Sequence, residues 1–374
     1  MNGENWFDNE NWMADDSISV CDWYGVVCGT GAGQIKGVAT EEEEMVIELN
    51  LSLNNLNGTI PSSIGLLKTL EKLQLKENDL VGAIPTEIGL LQSLQTLIFD
   101  RNSLSGTIPS ELGLLGDSLT GMDMSSNYLY GTIPTELCVL RSMGTMYLST
   151  NRLNGTIPWS DMTPMTALYI LSLGNNRFTG SIPTLIGLFP NILGIHVSYN
   201  QLSGTIPSEI GELSSLYVFL AHGNSLSGPL PTEIGLMNGL DTLSLHSNSL
   251  SGTVPSEMFL FCNQIFSFLR NLYLGFNNLS GSIPSEIGRC NKLQQLNMPY
   301  NDLTGTVPDE LGAIQGLKTL YLEENDFTGT MPGSVCALTA NGLLEGLIVD
   351  CDEVLCDCCS SCNVVYTTQL SDDN

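Results

Sequence analysis

The chain has 374 residues, with 40 Asp+Glu against 12 Lys+Arg and a formal net charge of −28. A surface of that sign repels phosphate backbones and anionic lipid, which excludes nucleic acids and acidic membranes as charge-driven partners. No run of 18 apolar residues occurs, so no bilayer-spanning helix is predicted.

Residues 1–45 read as an N-terminal cap. Trp6, Trp12 and Trp23 supply large apolar area for covering whatever coil follows, and Cys21 and Cys28 are candidates for a disulfide. Gly29 to Glu44 is a glycine-rich insertion ending in Glu41-Glu42-Glu43-Glu44, expected to be a solvated loop tip rather than a calcium site. Met1 leads straight into Asn2-Gly3-Glu4-Asn5-Trp6, which lacks the pattern of a signal peptide. A cysteine-capped chain of this kind reads as a mature or truncated ectodomain.

From residue 46 to 338 one pattern recurs twelve times. Keyed on the glycine of G-x-[IVLM]-P, it runs from Gly58 to Gly329 in steps of 24 or 25 residues, with one step of 29 from Gly252 to Gly281. The unit L-x-x-L-x-L-x-x-N-x-L-x-G-x-I-P-x-E-I-G-x-L at this period predicts stacked leucine-rich repeats, an α/β solenoid. Length therefore counts coils, and one elongated domain is expected. Each L-x-L is predicted to be a short strand with leucines inward and the intervening residues on a concave face. The asparagine that follows, from Asn54 to Asn325, is expected to bond backbone groups of its own coil and its neighbour. Glycine permits the next turn and proline opens a 3₁₀ or helical turn on the convex side. There glutamates such as Glu87 and Glu111 suit the N-terminal dipole.

Residues 339–374 form a cysteine-rich C-terminal cap and tail. Cys336, Cys351, Cys356, Cys358, Cys359 and Cys362 are expected to form disulfides of open connectivity, in preference to a zinc cluster, because terminal coils need closure. Cys262 and Cys290 lie on convex segments of adjacent coils and are placed to pair. Cys138 is then the odd, buried thiol.

No nucleophile–base, Walker or dinucleotide pattern occurs, so no enzymatic activity, cofactor or metal is expected. Outward strand positions are the informative ones. His196 and Leu220 lie between strand leucines, as do Tyr147, Tyr273 and Tyr321, while His222 and His246 share the next register on successive coils. With Tyr199, Phe276 and Tyr300 at the rim, these form a candidate ligand-binding set. The competing readings are a solvated face, or a histidine metal site or pH switch; His196, offset by two residues, argues against one shared ion.

Three further features stand out. Threonine follows the repeat glycine in eight coils, Thr59 to Thr330, a column with the geometry of an ice-binding face. Asn50, Asn57, Asn154 and Asn278 begin N-x-[ST] glycosylation sequons. The long step adds Phe259, Phe261, Phe266 and Phe268, expected to lie on a longer convex helix.

With G-x-I-P and the W-x-G-V-x-C-like Cys21-Asp22-Trp23-Tyr24-Gly25-Val26-Val27-Cys28, the chain resembles plant-type extracellular leucine-rich repeat proteins, among them receptor-kinase ectodomains and polygalacturonase-inhibiting proteins. Asp350-Cys351-Asp352-Glu353 with Cys356-Asp357-Cys358-Cys359 resembles repeat proteins of diatoms and related algae. The resemblance implies a right-handed twisted superhelix with a concave parallel sheet and a second short sheet. It also implies secretion or surface display, and a protein, peptide or glycan partner. A monomeric, non-enzymatic recognition module is the expectation. Alternatives are an inhibitor of a secreted polysaccharide-degrading enzyme, a structural or adhesive wall protein, or an ice-binding protein.

Overall fold

Leucines two residues apart point to the same side of a strand, and a repeat of 24 residues returns the next pair to the same place one coil later. In a computed structural model of the protein, which describes residues 19–30, 44–260, 262, 268–351 and 353–362, the strands obey that rule. The chain divides into two compact units, residues 1–180 with 189–192, and residues 181–188 with 193–374. Both are stacks of leucine-rich coils, as expected.

In the first unit Leu49 pairs with Leu73 and Leu73 with Leu97 in parallel register. Leu73, Leu75, Leu97 and Phe99 are fully buried beneath these strands. In the second unit Phe219, Leu243 and Leu272 continue the same register, from strand Val218–Leu220 through Thr242–Ser244 to Asn271–Tyr273. Side chains between the leucines emerge on the opposite face, and the candidate residues stand there.

A second parallel sheet follows each strand in both units, represented by Asp79–Ala83 and Ser249–Thr253. The repeat glycine ends it in a left-handed conformation, with Gly82 at φ 81°. Proline then opens a 3₁₀ turn: Pro85 precedes Thr86–Leu90, which buries Ile88 and Gly89. Coil stacking is tightest here, since a Cβ on Gly89 would stand 2.2 Å from the Glu111 carbonyl oxygen.

The asparagine ladder forms as predicted. Asn102 Nδ2 donates to the carbonyls of Leu75 (2.9 Å) and Phe99 (3.1 Å), and its Oδ1 accepts from Leu80 N at 3.0 Å. One amide thus joins adjacent coils where the chain turns and strand pairing ends.

At the N-terminus the predicted Cys21–Cys28 disulfide is present. Strand Val26–Thr30 pairs antiparallel with Glu44–Asn50, covering a sheet edge that would otherwise be open. Trp6, Trp12 and Glu41 to Glu43 lie outside the described residues. At the other end, helix Gly333–Ala340 is followed by Gly346–Val349, whose Leu347 pairs with Leu320, and then by Ser361–Cys362, which pairs with it in turn, so residues assigned to the cap extend the main sheet by two strands. Cys336–Cys358 and Cys356–Cys359 are disulfides and Cys351 is also oxidised, which leaves no thiolate set for zinc among them. The side chain of Cys362 is outside the described set.

Cys262 and Cys290 pair as expected, and Cys138 is a buried free thiol. In the long step, a 3₁₀ turn spans Ser256–Phe259 and buries Phe259, while Phe268 carries the Lys292 ammonium 4.5 Å above its ring. Phe261 and Phe266, with most of the predicted longer helix, lie outside the described residues. Among those described, no helix is long and apolar enough to cross a membrane.

Candidate functional site

In the second unit the outward positions form three columns. Between the strand leucines stand His196, Leu220, Ser244, Tyr273, Asn297 and Tyr321. Two residues on come His222, His246 and Glu323, and one further come Tyr199, Gly223, Ser247, Phe276, Tyr300 and Glu324.

The last column has an unusual backbone. Tyr199, Phe276 and Tyr300 have φ of 50°, 55° and 53°, the left-handed region that costs a bulky residue most. Gly223, with φ 63°, and Ser247, with φ 55°, take this place in the two coils between Tyr199 and Phe276. A Cβ on Gly223 would lie 2.6 Å from the Tyr199 ring, so the tyrosine rests where the glycine leaves room. Phe276 and Tyr300 stack with centroids 4.5 Å apart. Tyr199 and Phe276 remain exposed.

The histidines are brought together as their shared register predicts. The rings of His222 and His246 stack at 4.3 Å, and Tyr199 presents its edge to His222 at 4.9 Å. His222 Nδ1 shares a hydrogen bond with Ser244 Oγ at 3.0 Å, and His246 Nδ1 with Ser247 Oγ at 3.1 Å. A solvated face does not describe this arrangement: His222 is only 8% exposed and Ser244 is buried. Alternation put both on the outward side correctly, but neighbouring coils crowd their side chains. Burial, reinforced by His196 nearby, lowers the pKa of His222 to about 4, and burial lowers that of His196 too. A neutral, hydrogen-bonded imidazole suits recognition by shape and polar contact. Among the described residues no group of three or more His, Cys, Asp or Glu side chains is arranged to hold a metal ion.

Beside the histidines lies a polar brace that alternation alone does not reveal. Arg270 forms an ion pair with the buried Asp241, and its guanidinium also donates to Tyr217 Oη at 3.3 Å. Asn271 Nδ2 donates to Thr242 Oγ1 at 2.9 Å, and Tyr273 Oη donates to Gln295 Oε1. These bonds hold Tyr273 and the exposed Tyr217 in fixed orientations. Tyr217 belongs to the aromatic set that the sequence places along this sheet, and the missed signal was Asp241 and Arg270, which share its column at repeat spacing just before each strand. Leu220 and Tyr321 are half-buried in their own columns.

Tyr147 belongs to the first unit, where burial first, then Tyr169 and Asp123, raises its phenol pKa. The threonine column is exposed in both units, at Thr107 and Thr132 as at Thr205 and Thr306. Of the sequons, Asn154 and Asn278 are exposed on strands of the second sheet, while Asn57 on that sheet and Asn50 on the first are part-buried.

Six segments, residues 45–67, 93–115, 167–189, 191–213, 268–290 and 316–338, match the model of the Leucine Rich Repeat. The chain is similar to the ectodomain of the membrane receptor kinase GASSHO1/SCHENGEN3 of Arabidopsis thaliana, solved with CASPARIAN STRIP INTEGRITY FACTOR 2. The two share 33% identity over 82% of this chain and 39% of that one, with a TM-score of 0.70. The plant peptide hormone receptor RGFR1, solved with RGF2, is 30% identical over 80% of this chain and 50% of its own, with a TM-score of 0.70. A leucine-rich repeat protein of Leptospira interrogans is 28% identical over 83% of this chain and 79% of its own, with a TM-score of 0.64. The chain thus spans half or less of the two plant receptor chains. No curated protein sequence matches it.

Proposed function

We propose that the protein is a non-enzymatic recognition module displayed outside the cell, and that it binds a peptide or protein along the concave face of its second unit. The observation that carries this reading is the left-handed column. Tyr199, Phe276 and Tyr300 hold aromatic rings where the backbone favours glycine or asparagine, around a stacked and anchored histidine pair. Strained backbone bearing large side chains on a rigid sheet is worth keeping where those side chains contact a partner. A preformed face loses little conformational entropy on binding. Likeness to a plant peptide hormone receptor solved with RGF2 supports the same class of partner. Disulfides at both ends support an oxidising compartment, and in this reading residues 1–45 and 339–374 close an array spanning 46–338.

The test is capture of native extracellular material on the immobilised chain, followed by alanine replacement of Tyr199, His246, Tyr273 and Phe276. Each replacement should weaken binding of the captured partner by about tenfold or more, the effect of losing an aromatic anchor. Unchanged affinity across all four would exclude this face. Replacing Tyr147 in the same assay reports whether the first unit takes part.

A further inference from the structure

Three carboxyl side chains are buried among the described residues: Asp100, Asp241 and Glu323, at 5%, 6% and 1% exposure. Each stands on or beside the variable face of a strand. A buried carboxylate is costly unless a cation and hydrogen bonds accompany it, and two of the three have their cation. Asp100 lies 3.5 Å from Lys76 Nζ, and Asp241 is paired with Arg270. Glu323 has no cation: among the described residues no ion pair or other side chain reaches its carboxylate oxygens, neither of which makes a hydrogen bond of normal geometry, and its own backbone N–H is the one group that favours the charge.

Its surroundings deepen the imbalance. Leu296, Leu320 and Leu347 are aligned in register, which puts Pro299, Glu323 and Asp350 in one column across three coils. Glu324 and Asp350 both act on Glu323 with like charge. Tyr300 N donates to the Glu323 carbonyl at 3.0 Å, and burial, then Glu324, Glu323 and Asp350, raises the phenol pKa of Tyr300. Phe276 stacks on Tyr300 and extends an aromatic wall along that edge.

We propose that Glu323, flanked by Glu324 and Asp350 and one coil from Tyr300, is the subsite for a basic side chain of the bound peptide, which supplies the cation that Lys76 and Arg270 supply to the other two buried carboxyls. Both oxygens are shut from solvent in the free chain, so the side chain turns outward to meet a guanidinium or ammonium, which brings N–H donors to them. This inference rests on the concave face being the ligand surface, and it names one chemical feature of the ligand. Absence of the cation has a visible consequence. Burial, with Asp350 and Glu324 adding to it, holds the Glu323 carboxyl protonated up to about pH 7.

The experiment follows the ¹³C carboxyl signal of Glu323 through a pH titration of the full chain, alone and with acetyl-arginine amide, acetyl-lysine amide, spermidine or calcium chloride. The signal is assigned by its loss in Glu323→Gln. The arginine or lysine probe should lower the midpoint by about one pH unit, equivalent to about tenfold preference for the ionised carboxyl. Glu323→Gln, which keeps shape and removes charge, should weaken probe binding by about tenfold, and Glu324→Gln by less. A midpoint unmoved by every amine, or moved by calcium alone, overturns the proposal. A response to spermidine but not to the amino-acid amides overturns the peptide as the source. Because the probes are small and the signal is local, these results stand apart from success or failure of partner capture.

Discussion

His222 of one coil and Ser244 of the next share a hydrogen bond of 3.0 Å between Nδ1 and Oγ. Both are buried on the face that alternation points toward solvent. Neutral His222 is therefore part of how the coils fit, and acid should loosen it. Its folded pKa of about 4 lies below the ordinary 6.5. The stability it contributes is thus fully present above pH 6.5 and is lost as pH falls through 4. Between pH 7 and pH 4 this residue should contribute a loss of up to about 3 kcal/mol in urea unfolding, which His222→Asn removes. Glu323 acts with the opposite sign. Its folded pKa near 7, raised from 4.5, gives stability that is complete below 4.5 and is lost as pH rises through 7. The two contributions largely offset in the parent chain, so His222→Asn should gain stability on acidification from pH 7 to 4 and Glu323→Gln should lose it. Single variants whose profiles both match the parent's would place the sensitivity elsewhere.

The turn glycines set how closely coils approach. Gly89→Ala places a methyl 2.2 Å from the Glu111 carbonyl, and no flexible side chain is there to yield. The expected cost is about 1–3 kcal/mol, typical of overpacking. Gly333→Ala is the control, because nothing lies within 4 Å of its added carbon. Thermal unfolding of the two variants should separate them clearly. Equal melting temperatures would mean that the coils spread without penalty.

Asn102→Ala removes one acceptor for Leu80 N and one donor to Leu75 O and Phe99 O at a single turn. Each orphaned buried group costs about 1–3 kcal/mol, so a loss of at least about 3 kcal/mol is expected by chemical denaturation. Hydrogen exchange should report the damage as faster exchange at Leu80 N than at the equivalent amide one coil later.

Cys138 is buried, and burial first, with Asp161 and Glu136 adding to it, raises its thiol to about 12. The thiolate is the reactive form. Iodoacetamide at pH 8 should leave the native chain unmodified and label one cysteine once urea unfolds it without reductant. Labelling of the folded protein at the rate of a free thiol would contradict both the burial and the shift.

Much of this was written in the repeat. Leucine spacing gave the strands, the coil period gave their register, and the recurring asparagine gave its own hydrogen bonds, because each depends only on residues at fixed separation. The Cys262–Cys290 disulfide was legible for the same reason, adjacent coils placing the two on one side. The antiparallel strand Val26–Thr30 was not, since it lies outside the repeat and pairs across an insertion. The candidate face was half legible. Period two told which side His222, Ser244 and Glu323 occupy, whereas their burial depends on the volumes of side chains a coil away. Whether a buried acid has its cation is decided in the same manner. Lys76 reaches Asp100 across 24 residues of chain and Arg270 reaches Asp241 across 29, while among the described residues no cation reaches Glu323. The sequence by itself thus determined the scaffold, which follows from periodicity. Only the tertiary structure decided which outward residues are packed, anchored or left without a partner, because that balance of volume and charge is struck between coils rather than along the chain.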